Sequence, residues 1–161
     1  MNRRETLVAI AVLAVTGAAR AEETPDLPLA RDLREDGWRA AKARIPIIVL
    51  YSLAGCPYCI EVRRSHLLPM LHDPIWSKRV ILRQVNVNGA DPVIDFAGRK
   101  SSHGDLARAN GVRVAPVVAF FDGQGKEIAG ALRGMLLPDF YSAYLESAIA
   151  SAESHLMKQG G

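Results

Sequence analysis

Ile47-Ile48-Val49-Leu50-Tyr51 followed by Cys56-Pro57-Tyr58-Cys59 is the stretch whose reading decides the fold. The first part is a short continuous apolar run rich in β-branched residues, the pattern of a strand covered on both faces. The second places two thiols three positions apart at the start of a helix-compatible segment, with Pro57 suited to a first turn that needs no bonded N–H. A strand that delivers a cysteine pair to a helix start points to thiol–disulfide exchange: one thiolate attacks and the other resolves. A CxxC is also half of a tetrahedral zinc site, but His66, His72, His103 and His155 offer no second pair at ligand spacing. They are expected at the surface or in partly buried packing positions. Cys56 and Cys59 are the only cysteines, so the pair reads as reactive rather than as a scaffold, and no metal is expected.

Working outward, Leu33 to Arg44 is compatible with a helix through Leu33, Trp38, Ala40 and Ala41, with Gly37 against it and Pro46 marking its end. After the cysteines the helix is expected to run through Ile60, Val62, Leu67, Leu68 and Leu71, to kink at Pro69 and to stop near Asp73-Pro74. Val80 to Val87 reads as a second strand. Val93-Ile94-Asp95-Phe96 is strand-like and leads into a Gly/Ser-rich connection. Gly104 to Asn110 reads as a short helix capped by Ser102 and stopped at Gly111. Val117-Val118-Ala119-Phe120-Phe121, the turn Asp122-Gly123-Gln124-Gly125 and Glu127 to Leu132 form a predicted hairpin. A last helix from Pro138 to Ser154 is expected to place Phe140, Tyr144, Leu145, Ala148 and Ile149 on one face. This order describes an α/β fold with a central mixed β-sheet flanked by helices.

The ends bound the setting. Arg3 and Arg4, the apolar stretch Leu7 to Ala19 and Ala19-Arg20-Ala21 have the three regions of an export signal, so residues 1–21 are expected to be cleaved. Residues 22–32, with Pro25 and Pro28, read as a flexible leader, residues 33–154 as one domain and residues 155–161 as a tail. Removing the signal lowers the net charge from +3 to +1. With no Lys/Arg block, nucleic acid is not an expected partner. A periplasmic or secreted monomer is expected, in a compartment where such a pair must be kept reduced by a partner or used as an oxidant.

With the cysteine motif, Ala115-Pro116 ahead of a strand, and Phe120-Phe121-Asp122-Gly123-Gln124-Gly125-Lys126-Glu127 in this order, the chain resembles the thioredoxin superfamily from about Leu33 to Ala152. The pattern from Val112 through Pro116 to Gly125 is most similar to exported members of the SoxW type and to the C-terminal domain of the DsbD reductase. The Val93 to Ser102 stretch resembles the insertion of SoxW-like chains. The resemblance implies a thioredoxin fold, a redox-active Cys56–Cys59 disulfide as the only redox group, and a cis bond at Ala115-Pro116. It further implies protein disulfides bound along Pro57, Tyr58, Ala115 and Pro116, and an upstream thiol reductant such as a membrane DsbD-like protein. Pro57-Tyr58 resembles the glutaredoxin dipeptide, whose glutathione-binding signature is not evident around Pro116 or Gly134. The short connection from Cys59 to Pro116 leaves little space for the inserted helical domain of DsbA-like oxidants. Against cytosolic thioredoxins, Leu50 stands at the buried carboxylate, Gln84 near its partner lysine, and Gly55 at the tryptophan before the first cysteine. Glu61 or solvent is left to take the proton of the resolving thiol, although Glu61, two residues after Cys59, reads first as an exposed helix residue. The function expected is reduction or isomerisation of protein disulfides. A DsbA-like oxidant, a copper metallochaperone and a non-catalytic binding module are the alternatives.

Overall fold

A computed structural model describes residues 26–135 and 137–159; residues 1–21, read as an export signal, and residues 22–25 lie outside this range. Residues 26–32 are part of the domain rather than a leader ahead of it. The Ala30 N–H donates to the Gln84 carbonyl and the Gln84 N–H to the Pro28 carbonyl, both at 2.9 Å, while Leu27 and Ala30 are buried. A proline can join such a contact because it is asked only for its carbonyl, and the segment covers what would otherwise be a bare sheet edge.

Helix α1 (Leu33–Ala43) starts at Asp32, whose carboxylate accepts the Glu35 N–H at 2.9 Å. It buries Leu33, Asp36, Gly37 and Ala40, and leaves Trp38 66% exposed. The reason is tertiary. A Cβ on Gly37 would collide with the Gly123 carbonyl oxygen, and a Cβ on Gly123 would press on Ala41. This close approach of helix to turn sets the rotation of α1 and sends Trp38 outward, where Arg34 lies 5.3 Å from its ring centre.

Strand β1 (Ile47–Ser52) is buried along its whole length. Its odd-numbered side chains join Leu33, Ala40, Leu106 and Phe121 in one core. Its even-numbered ones join Val62, Leu67, Leu82, Phe120 and Ile149 in the other. Beyond it lie helix α2 (Pro57–Glu61), a π-helical turn (Val62–Leu67), helix α3 (Leu68–His72) and the short helix α4 (Trp76–Arg79). The expected kink at Pro69 takes the form of this wide turn. The Leu68 N–H reaches the Arg63 carbonyl five residues back. Pro69 has no N–H to offer and its ring crowds the carbonyl four residues back, which the wider turn relieves.

Strand β2 (Ile81–Asn86) pairs in parallel with β1. Next come a separate hairpin of β3 (Pro92–Ile94) and β4 (Lys100–Ser102), then helix α5 (His103–Ala109). The Gly/Ser-rich connection therefore holds a strand the sequence reading did not contain. Asp95 ties the hairpin's turn: one carboxylate oxygen accepts the Ala97 and Arg99 N–H groups at 2.9 and 2.8 Å, the other the Arg99 side chain. Burial pushes the Asp95 carboxyl up, but these bonds and the Arg99 charge outweigh it and hold it below the usual carboxylate range.

Strand β5 (Val117–Phe121) runs antiparallel to β1, and β6 (Glu127–Arg133) antiparallel to β5, which gives the sheet order β2-β1-β5-β6. After a 3₁₀ turn (Pro138–Phe140), helix α6 (Tyr141–Lys158) closes one face. It buries Tyr141, Leu145, Ile149 and Ala152. Phe140 and Tyr144 are exposed, so two members of the expected face are corrected. Residues 155–158, read as tail, continue the helix.

Candidate active site

The last residue of β1 is Ser52. The chain then turns through Leu53, Ala54 and Gly55, where Gly55 holds φ +72°, a conformation that needs no side chain. Cys56 follows as the N-cap of α2, with extended backbone, and its Sγ accepts the Cys59 N–H at 3.1 Å. Pro57 occupies the first turn as expected. The two cysteines are joined in a disulfide with Cα atoms 5.2 Å apart. Their surroundings differ: Cys56 is partly exposed and Cys59 has no exposed surface. Tyr58, between them, is 61% exposed.

The Ala115-Pro116 bond is cis. Val117, the next residue, pairs with Tyr51 one place before the end of β1, which brings Ala115 and Pro116 to the sheet end that carries Cys56. The Pro116 carbonyl accepts the Gly134 N–H at 2.8 Å, so its loop is tied to β6 and does not hang free. Cys56, Pro57, Tyr58, Cys59, Ala115 and Pro116 therefore belong to one end of the domain.

Beneath the active-site helix, Leu50 is fully buried and stands opposite Gln84 in the β1–β2 register. Gln84 is committed: its Oε1 accepts an Arg63 N–H and its Nε2 donates to Asn86 Oδ1, each at 3.0 Å. Glu61 is turned along the exposed helix surface, where it accepts the Ser65 hydroxyl at 2.6 Å. Sequence reading missed Arg63, which had no signal of its own in a run of polar residues on a helix. Tyr51, on the other face of β1, is buried. Burial pushes its phenol up to about 12, with the Asn110 hydrogen bond pulling the other way.

Two histidines have structural neighbours. His66, on the π-helical turn, lies with its ring centre 4.7 Å from that of Tyr141 and its Nδ1 3.0 Å from Ser142 Oγ. Its burial lowers its pKa, and Glu61 opposes this. His103 is fully buried, contrary to expectation, and accepts the Asn86 N–H at Nδ1 while donating from Nε2 to the Ala30 carbonyl. Among the described residues no group of three or more His, Cys, Asp or Glu side chains gathers as a metal site, and no helix is long and apolar enough to cross a membrane.

The model of the thioredoxin-like domain matches residues 33–149. The chain belongs to the thioredoxin-like domain family. Among solved structures, the thioredoxin of Malassezia sympodialis is similar at 14% identity and TM-score 0.53, over 83% of this chain and 98% of that one. The oxidised mitochondrial thioredoxin 3 of Saccharomyces cerevisiae is similar at 16% identity and TM-score 0.51, over 77% and 93%. A thioredoxin-fold protein of Helicobacter pylori is similar at 16% identity and TM-score 0.50, over 78% and 92%. None of the curated proteins matches. These likenesses establish a shared fold. Within this thioredoxin-like chain, the cysteine pair and the cis proline lie where the sequence reading expected them.

Proposed function

We propose that this thioredoxin-like chain is an exported thiol–disulfide oxidoreductase that reduces or isomerises protein disulfides. One observation carries the reading: the disulfide is asymmetric, with Cys56 partly exposed and bonded by the Cys59 N–H, and Cys59, within α2, without exposed surface. A backbone donor aimed at Cys56 Sγ favours the thiolate, which is the attacking form. At a free-thiol pKa near 8.5 only about 3% is ionised at pH 7, and lowering it by one unit raises this to roughly a quarter.

In the reduced protein the Cys56 thiolate attacks one sulfur of a substrate disulfide. That S–S bond breaks, the other substrate sulfur leaves as a thiolate, and a mixed disulfide forms. Cys59 then attacks Cys56 Sγ, releases the second substrate thiolate and leaves the Cys56–Cys59 disulfide. A substrate segment lies along Ala115-Pro116 beside Pro57 and Tyr58. A thiol reductant, of the membrane DsbD-like kind, returns the pair to the dithiol. Export is supported by the signal pattern of residues 1–21, and the likeness to SoxW-type proteins and the DsbD C-terminal domain favours the reducing direction.

Redox equilibration against reference couples tests this, run beside turnover of a disulfide-bonded protein. The expected potential lies closer to thioredoxin, about −270 mV, than to DsbA, about −120 mV, with Pro57-Tyr58 drawing it towards the glutaredoxin range of about −200 to −230 mV. A value near that of DsbA, with oxidation of reduced unfolded protein and no disulfide reduction, overturns the reductase assignment.

A further inference from the structure

Between the active-site helix and the carboxyl ends of β1 and β2 lies an open cavity of about 480 Å³, bounded by Ser52, Gly55, Ile60, Arg63, Gln84 and Asn86. Register explains its polarity. Leu50 faces Gln84 and Ser52 faces Asn86 across the parallel pair, so the apolar core on this side gives way to hydroxyl and amide groups at the sheet end. The cavity is far larger than the roughly 30 Å³ share of one water and is walled by groups that hydrogen-bond it.

Arg63 stands four residues after Cys59. Residues at that spacing share a helix face, which places Arg63 on the side of the helix that carries Cys59. The bond from Arg63 to Gln84 Oε1 fixes it on the sheet side of the helix, and its side chain is only 18% exposed. The charged groups facing it are few. Asp26, on the N-terminal segment, is 3.3 Å away but 67% exposed. Asp91 is reached only through Asn86, whose Nδ2 lies 3.3 Å from its carboxylate, and His103 lies 3.9 Å beyond, fully buried. Glu61 is engaged by Ser65. From β1 come only Leu50 and Ser52, and from β2 only Gln84 and Asn86.

We propose that Arg63, clamped by Gln84, is the positioning residue that stabilises the thiolate of the resolving Cys59. The inference rests on the oxidoreductase reading and deepens it. The Cys59 thiol, freed when the Cys56–Cys59 bond is open, gives its proton to solvent, and its sulfur attacks Cys56 Sγ. A Cys56–Cys59 bond forms, the Cys56–substrate bond breaks, and the substrate sulfur leaves with the electron pair and is protonated from solvent. A cation only 18% exposed favours a neighbouring thiolate. It thus supplies by attraction what a buried carboxylate would supply by accepting the proton.

The test uses two sets of proteins. With Cys56→Ser, Cys59 is the single thiol, and its ultraviolet thiolate absorbance is followed against pH with Arg63 intact, as Arg63→Lys and as Arg63→Met. The Met variant is expected to hold about tenfold less thiolate at neutral pH, and the Lys variant to stay close to the parent because it keeps the charge. With both cysteines present, release of a small-thiol mixed disulfide from Cys56 is expected to slow about tenfold at pH 7 in Arg63→Met and to recover by about pH 9–10, where Cys59 ionises without help. Coincident titration curves, or a rate loss equal at every pH, overturn the role of Arg63. If Arg63→Met does not fold, Arg63→Gln, which keeps a donor for Gln84 without charge, takes its place under the same criteria. Failure of the parent protein to resolve any mixed disulfide sinks the oxidoreductase reading itself, whereas a competent parent with an indifferent Met variant sinks only this inference.

Discussion

Leu50→Asp places a carboxylate where this chain has none, and the structure sets the size of the effect. Leu50 is fully buried in the core that contains Ile48, Val62, Leu67, Leu82 and Val118. Losing its apolar burial costs about 1.5–3 kcal/mol. A carboxyl held there resists ionisation, and a rise of about three pKa units adds about 4 kcal/mol at neutral pH. Together this reaches about 6 kcal/mol, comparable to the whole stability of many domains, about 5–15 kcal/mol. The two parts separate by pH. A carboxyl whose folded pKa is raised costs nothing below its unfolded value near about 3.9, and its penalty grows as pH rises towards the folded value. Urea unfolding of the disulfide-bonded protein at about pH 4 and pH 7 should therefore show a loss near 2 kcal/mol in acid and near 6 kcal/mol at neutrality. Leu50→Asn should lose a similar amount at both. A neutral-pH loss below about 2 kcal/mol, or one independent of pH, would refute the view of this position as a dry site.

Gly37→Ala should lower stability by about 1–2 kcal/mol in thermal or urea unfolding, because its Cβ meets the Gly123 carbonyl and this exceeds the gain in helix propensity of about 1 kcal/mol; a rise in stability would remove the close approach of α1 to that turn. Tyr51, pushed up to about 12, and Tyr141, also raised by burial, stay protonated in the fold while unfolded chains ionise near about 10. Stability should consequently fall as pH rises above about 10, by on the order of 2 kcal/mol from Tyr51, and unfolding curves that coincide at about pH 9 and pH 11 would contradict its burial. Alkylation of the reduced protein at neutral pH should modify Cys56 first, read by peptide mass mapping, and preferential labelling of Cys59 would reverse the assigned roles.

Much of this protein was settled by local chemistry that a sequence displays openly. A run such as Ile47 to Tyr51 has no polar side to show water, so it reads as a strand buried on both faces before any partner is known. Pro57 and Gly111 act through their own backbones and Ser102 through its hydroxyl on the Asp105 N–H, and their places at two helix starts and one stop followed from that alone. What the sequence left open depends on which element meets which. Trp38, Phe140 and Tyr144 face solvent because helix rotation is set by distant contacts, the Gly37–Gly123 approach among them, and not by the sum of apolar positions. Residues 26–32 become part of the domain only because β2 offers an edge to pair with. Arg63 and Gln84 are 21 residues apart and neither is unusual in its own neighbourhood. Their meeting comes from the parallel register of β1 and β2 and the helix laid over it, which is long-range geometry that no local pattern encodes.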